Sequence, residues 1–383
     1  MCKREFFVVG AVVGLGLLVV VGSGAQQGAC SVTVQAGQSL GEAVDAAPPG
    51  AVICLEPGIW YTNLSIYKPL QIRGAGPQAT FIKGVRDGPI FRIVANVKLT
   101  DLTITESSRK YPFCYREECG IGIMIEESGW GSLRNVVLAS HDTALLIHGT
   151  GYLELFQVSL ADNEIGLFVE DTARVSGAEV VIAERGSAGI RVSGSAFVHL
   201  AKLTISQQQV GIAIEDRGGQ LRLSEAQLSE NIVGLEVHQG EVKLLDTSFE
   251  ANRIGLWARG GVVTAERVTI ARSQRDGLVA TGEAFVSLDG SKIVENGVHP
   301  NCRWVAWVCN GATVQESALL WITNSAIQGN ADWGLAAWKR ECGYAQDSFA
   351  GQVTLLGSVQ IEGNNTSGNH AGAGKPEGQV CLP

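Results

Sequence analysis

No run of basic residues occurs anywhere in the 383-residue chain, and the formal net charge is -9. A nucleic-acid partner is therefore not expected. Charged residues of all kinds make up only 17%, whereas aliphatic residues are plentiful, as in a chain that sends much of its side-chain surface into a long core. Methionine is nearly absent: Met124 is the one besides Met1, and the six histidines are scattered. No paired C-x-x-C spacing is present, so a structural zinc site is not indicated. Copper prefers clustered Met, His or thiolate ligands, and none is seen. No metal or other cofactor is expected. The L-x-x-L-x-L consensus of leucine-rich repeats is also missing.

What the chain does have is a repeat. Gly166-Leu167, Gly189-Ile190, Gly211-Ile212, Gly234-Leu235, Gly255-Leu256 and Gly277-Leu278 mark one point in six successive units, 23, 22, 23, 21 and 22 residues apart. A period near 22 is shorter than that of helical-pair repeats. Each unit holds three short runs of alternating apolar and polar residues, which is a strand signal. In the unit from Gly211 these are Ile212–Ile214, Leu221–Leu223 and a weaker Ala226–Leu228. One such strand triangle cannot bury its apolar face alone, so units must stack, and three stacked parallel strands per turn make a parallel β-helix. Asn163, Gln208, Asn231 and Asn252 each lie three residues ahead of a marker glycine, with Gly186 and Gln274 at that place in two units. Amides stacked at a corner can hydrogen-bond along the axis; more simply, Asn and Gly make turns.

The chain divides into residues 1–25, a signal peptide; 26–50, an N-terminal cap; 51–362, the β-helix; and 363–383, a Gly/Asn-rich tail. Lys3 and Arg4 precede an apolar run, and Ser23-Gly24-Ala25 offers small residues for cleavage. A membrane association is expected only if that segment stays uncleaved. Ser39 and Glu42 form a capping box for a short helix that Pro48-Pro49-Gly50 ends. Eight cysteines remain after cleavage, an even number that suits disulfides in an exported protein. Eight cysteines allow 105 connectivities. Pairing of sequence neighbours gives Cys30–Cys54, Cys114–Cys119, Cys302–Cys309 and Cys342–Cys381. The last three pairs touch insertions at Glu106–Cys119, Gly297–Gly311 and Lys339–Ala350.

Residues 39–84, SLGEAVDAAPPGAVICLEPGIWYTNLSIYKPLQIRGAGPQATFIKG, resemble the opening of right-handed parallel β-helix proteins of the pectin-lyase-like superfamily. They are especially similar to the NosD-like periplasmic branch. With the downstream repeats, the resemblance covers nearly the whole mature chain, and it implies right-handed coils. The catalytic motifs of the superfamily are not found. Calcium-binding aspartate clusters, N-T-D, D-D, G-H-G and L-G-R-P-W are missing, and Ser140-His141-Asp142-Thr143 is only a faint echo of the D-P-H-D of alginate epimerases. NosD-like proteins are linked to copper-site maturation, but His148 and His238, which share a column, would stand four coils, about 19 Å, apart.

Alternation places side chains. After each marker glycine the first residue points in and the second out, the third in and the fourth out. The fourth-residue column reads His148, Glu170, Ser193, Glu215, His238, Arg259, Thr281, and the second-residue column includes Arg191, Glu236 and Trp257. Glu215, His238 and Arg259 would form a line with Glu236 beside it. Such a line suits a catalytic or sugar-binding groove: paired carboxylates serve glycoside hydrolysis, and Arg recognises uronates. Outward charges on any β-helix also pair across coils without further purpose. Trp304 and Trp307, in the loop that Cys302 and Cys309 would close, with Trp257 a few coils away, either form a platform for a sugar ring or a partner protein or fasten the loop to the wall. The expected function is that of an exported, non-catalytic carbohydrate- or protein-binding β-helix, acting as a monomer at the cell surface or in the periplasm. The alternative is a polysaccharide lyase, hydrolase or epimerase.

Overall fold

The computed structural model describes residues 29–86, 88–106, 120–303, 309–337, 351–367 and 380–381. They form a parallel β-solenoid with almost no helix. The one α-helix among the described residues, Leu40–Ala46, starts where expected. The Ser39 hydroxyl accepts the Glu42 amide hydrogen at 3.2 Å, and Leu40 and Val44 are buried in the main core.

The coil from Tyr152 to Val169 shows how each turn is built. Tyr152–Ala161 is one ten-residue strand, not two. It bends at Gln157, whose φ of 55° lets the chain turn without breaking the ladder. Asp162, with φ of 50°, makes the next corner, and Ile165–Val169 follows. The same left-handed bend recurs at Asn135, Glu179 and Lys202. It falls on polar side chains, which bear this conformation better than β-branched ones. Two of the three expected strands are thus continuous in several coils. Among the described residues, the bent strands join a 22-stranded broad sheet, and the strands after the marker glycines form a 13-stranded narrow sheet. All pairings are parallel and in step: Glu236 lies beside Trp257, and Trp257 beside Val279.

The core is a continuous stack of Ile, Leu and Val, most with no exposure. At the corner before the narrow sheet, amides do stack. The Asn231 amide hydrogen goes to Asn252 Oδ1 at 2.9 Å, that of Asn296 to Asn330 Oδ1 at 3.0 Å, and that of Asn330 to Asn364 Oδ1 at 3.1 Å. Their own Nδ2 groups donate to backbone carbonyls, so these asparagine rungs are satisfied, whereas the buried Gln208 Oε1 and Ser273 Oγ at the same corner have no hydrogen-bond partner among the described residues. In the unit of Gly277 the rung is Ser273 rather than Gln274, because that corner holds one more residue; the Ser273 amide donates to Asn296 Oδ1. His141 is another rung: it is wholly buried, its amide donates to Asn163 Oδ1, and its ring Nε2 lies 3.1 Å from the Ile104 carbonyl. Its echo of an epimerase motif is therefore a feature of the corner.

Cys30–Cys54 and Cys302–Cys309 are disulfide-bonded, each with Cα atoms 5.7 Å apart. Cys381 is also disulfide-bonded, and Val380–Cys381 adds a strand beside Leu335 and Ala336. Its expected partner Cys342, the pair Cys114–Cys119, and Trp304 and Trp307 lie outside the described residues. The disulfides agree with an exported chain. No helix among the described residues is long and apolar enough to cross a membrane.

Candidate functional site

The outward face of the narrow sheet carries the residues singled out from the sequence. After marker Gly255, Leu256 and Ala258 are buried while Trp257 and Arg259 face outward. Glu236 lies one coil away, and its side chain is only 12% exposed. One of its oxygens, Oε1, receives two groups: Arg259 Nε at 2.9 Å and His238 Nε2 at 3.3 Å. Arg259 also stacks on Trp257, with its guanidinium carbon 3.8 Å from the ring centroid. Four of the expected residues therefore form one connected cluster. The stack holds the guanidinium flat, and the carboxylate holds its inner edge. His238 and Arg259 also line a groove of about 570 Å³ with Arg217, Gln239 and Glu283.

Glu215 does not join them. Arg191 grips it with Nε and Nη2, at 3.0 and 2.8 Å from Oε1, while lying over Phe168. Ala213 sits between Arg191 and Glu236 in the outward column. The expected line from Glu215 through His238 to Arg259 is thus two separate ion-pair clusters. The reason is reach: the long Arg191 side chain, one coil back, meets Glu215 first.

Two groupings were not anticipated. His148, Glu170 and Asp171 bring one ligand atom each within 4.8 Å of one another and could hold a cation. Asp171 Oδ2, however, accepts the Gly149 amide hydrogen at 2.9 Å, and Asp216 and Glu316 do the same for Gly194 and Gly282. At Asp171 the carboxylate therefore already has the turn-closing role that recurs along this edge.

The second is Asp276, buried at 2% exposure just before marker Gly277. The Thr313 hydroxyl donates to its Oδ1 at 2.6 Å, and Asn310 Nδ2 donates to that hydroxyl at 2.9 Å. Burial pushes the Asp276 carboxyl up to about 7, against the opposing pull of the Thr313 hydrogen bond and the Arg275 charge. In the preceding coil the equivalent position is Ile254, so alternation alone gave no signal. An Asp before a Gly reads as a turn.

No protein-family description matches the sequence, and no curated protein does. Solved structures do share the fold. The A-module of an Azotobacter vinelandii mannuronan C-5 epimerase is 14% identical, with 84% of this chain and 91% of that one aligned at a TM-score of 0.51. A polygalacturonase from Erwinia carotovora is 10% identical, over 86% of this chain and 96% of that one, at a TM-score of 0.50. The fold is accordingly the right-handed parallel β-helix that these structures share. The expectation of a non-catalytic binding protein is corrected by the same finding. The structures that share this coil stack over more than four fifths of the chain are named as an epimerase and a polygalacturonase, which favours the polysaccharide-active alternative.

Proposed function

We propose that this protein is an exported enzyme acting on an acidic polysaccharide, with the outward face of the narrow sheet around Glu236 as its reaction site. The observation that carries the proposal is the sharing of the Glu236 carboxylate between Arg259 and His238. Abstraction of a proton next to a uronate carboxylate needs a cation on that carboxylate and a base near the carbon. Arg259 serves as the cation and His238 as the base, and Glu236 positions both. The abstracted proton passes to the imidazole, and the electron pair spreads onto the carboxylate facing Arg259. Delivery of a proton from water to the opposite face inverts the sugar; departure of the neighbouring glycosidic oxygen, which takes up a proton from water, instead cleaves the chain and leaves a double bond. Hydrolysis is less well served. It asks for one protonated carboxyl beside the bond, yet Glu215 and Glu236 each face an arginine, and Asp276 is buried.

The likeness of residues 39–84 to the NosD-like branch supports placing the protein in the periplasm, and the disulfides support an oxidising compartment. The test is incubation of the purified protein with polymannuronate and with polygalacturonate in heavy water. Deuterium at the carbon bearing the carboxylate, or unsaturated chain ends seen by ultraviolet absorbance, is expected. New reducing ends without unsaturation would replace the proposal with a hydrolase, and an unchanged polymer on both substrates would overturn it.

A further inference from the structure

The broad sheet has an outward face of its own, on the limb that precedes the left-handed bend. Parallel register stacks three outward columns there. Over the six coils from Asn96 to Ser224 the first runs Asn96, Trp130, Tyr152, Arg174, Phe197, Gln220. The second carries Lys98, Glu154, His199 and Arg222, and the third Arg134 and Phe156.

The four cations stand over rings. Lys98 lies 6.0 Å from the Trp130 centroid, Arg134 4.6 Å from Phe156, and Arg174 and Arg222 lie 5.9 and 5.3 Å from Phe197. Trp130 and Tyr152 stack on each other at 6.2 Å. All four cations are exposed, and none forms an ion pair among the described residues. Four arginines outside this face differ: Arg191, Arg259, Arg267 and Arg272 each hold a carboxylate. On this face Glu154 is the single acid against four cations, in a protein whose formal charge is -9. Between the columns, Ser132, Glu154, Ser176 and Gly177 line a shallow groove of about 270 Å³ beside Arg134 and Phe156.

We propose that this face is a second binding surface, separate from the Glu236 site, for an extended anionic polysaccharide running along the solenoid axis. Half-buried rings offer flat apolar platforms to sugar faces. Cations laid over those rings and lacking acidic partners offer their outer edges to carboxylate or sulfate groups. Five coil steps of about 4.8 Å make the strip roughly 24 Å long, enough for several consecutive sugars. The disulfide-bonded chain belongs where such polymers occur, rather than where nucleic acids do. The surface holds a chain; it performs no reaction.

The experiment uses the full chain with fluorescent polygalacturonate, dextran sulfate, neutral dextran and a single-stranded DNA of matched length. The protein should bind one or both anionic glycans, more weakly as salt rises, and leave neutral dextran unbound. The double variant Arg174→Gln/Arg222→Gln should lose at least about tenfold in affinity. Its thermal unfolding should match the parent, since both side chains are exposed. Arg272→Gln, at an exposed arginine outside both faces, should bind as the parent does, and turnover is followed in a separate assay, so failure of the proposed turnover and failure of this surface are read separately. Equal binding of neutral dextran, preference for the DNA, binding to neither anionic glycan, or an unchanged affinity in the double variant would each overturn the proposal.

Discussion

The side chain of Gln208 occupies the space that a Cβ on Gly186 would need. A Cβ built on Gly186 would lie 2.6 Å from Gln208 Oε1 and 2.3 Å from the Asn163 carbonyl. These two residues are neighbours at the corner where the other coils stack asparagines. The ladder misses a rung at Gly186, and Gln208, one methylene longer than Asn, donates back to the Glu184 and Ser206 carbonyls. Its backbone amide still takes Asn231 Oδ1 at 2.9 Å, so the ladder resumes.

Gly186→Ala should therefore destabilise the protein by about 1–3 kcal/mol, because the new methyl group meets backbone as well as side chain. Shortening the neighbour in Gly186→Ala/Gln208→Ala should restore only part of the loss, since the Asn163 carbonyl remains in the way. Urea unfolding midpoints of the two variants measure this.

Asn296 tests the intact part of the ladder. Its carbonyl oxygen accepts the Ser273 amide hydrogen, and its Nδ2 donates to the Ile270 carbonyl and to Asn330 Oδ1. Asn296→Ala strands buried backbone groups on both sides, at about 1–3 kcal/mol each. A loss of at least about 2 kcal/mol is expected in chemical denaturation. A surface substitution such as Arg272→Ala should leave the denaturation midpoint essentially unchanged.

Asp276 sets a pH dependence. Its carboxyl holds a proton in the fold up to about pH 7, whereas its ordinary value is 3.8. Below the ordinary value both states are protonated, and folding is not penalised. As pH rises from there towards 7, the unfolded chain releases a proton that the fold retains. Stability falls over that window by roughly 4 kcal/mol and is level above it. Asp276→Asn removes the titration and keeps the size. Its advantage over the parent should be larger at about pH 8 than at about pH 5, as read by urea midpoints at the two values.

Glu236→Gln separates positioning from folding. The variant keeps the size of the side chain but loses the negative charge that Arg259 and His238 share. Turnover of the polyuronate substrate should drop by about 10²–10⁴-fold, with the fold retained and stability lowered by no more than about 1–3 kcal/mol. His238→Ala should lose turnover to a similar degree and still bind polymer on the broad sheet. Deuterium uptake and polymer affinity, measured on the same preparations, distinguish the two effects.

The repeat alone was enough to determine the solenoid. A marker glycine every 22 residues or so, with alternation after it, admits one stacking direction for each side chain, and Leu256, Trp257, Ala258 and Arg259 point as alternation requires. The capping helix and the Cys30–Cys54 and Cys302–Cys309 pairs were legible for a similar reason: their partners lie close in sequence or across one coil. Which outward charges meet was decided only in three dimensions. Period gives the column, but side-chain length and the coil-to-coil offset give the partner, so Glu215 pairs with Arg191 and Glu236 with Arg259. Asp276 was hidden because its burial comes from packing, while its sequence neighbour Gly277 made it look like a turn. The aromatic and cationic strip on the broad sheet was equally invisible. Its members are some 20 or more residues apart in the chain, and only the parallel register sets Trp130, Tyr152, Arg174 and Phe197 side by side.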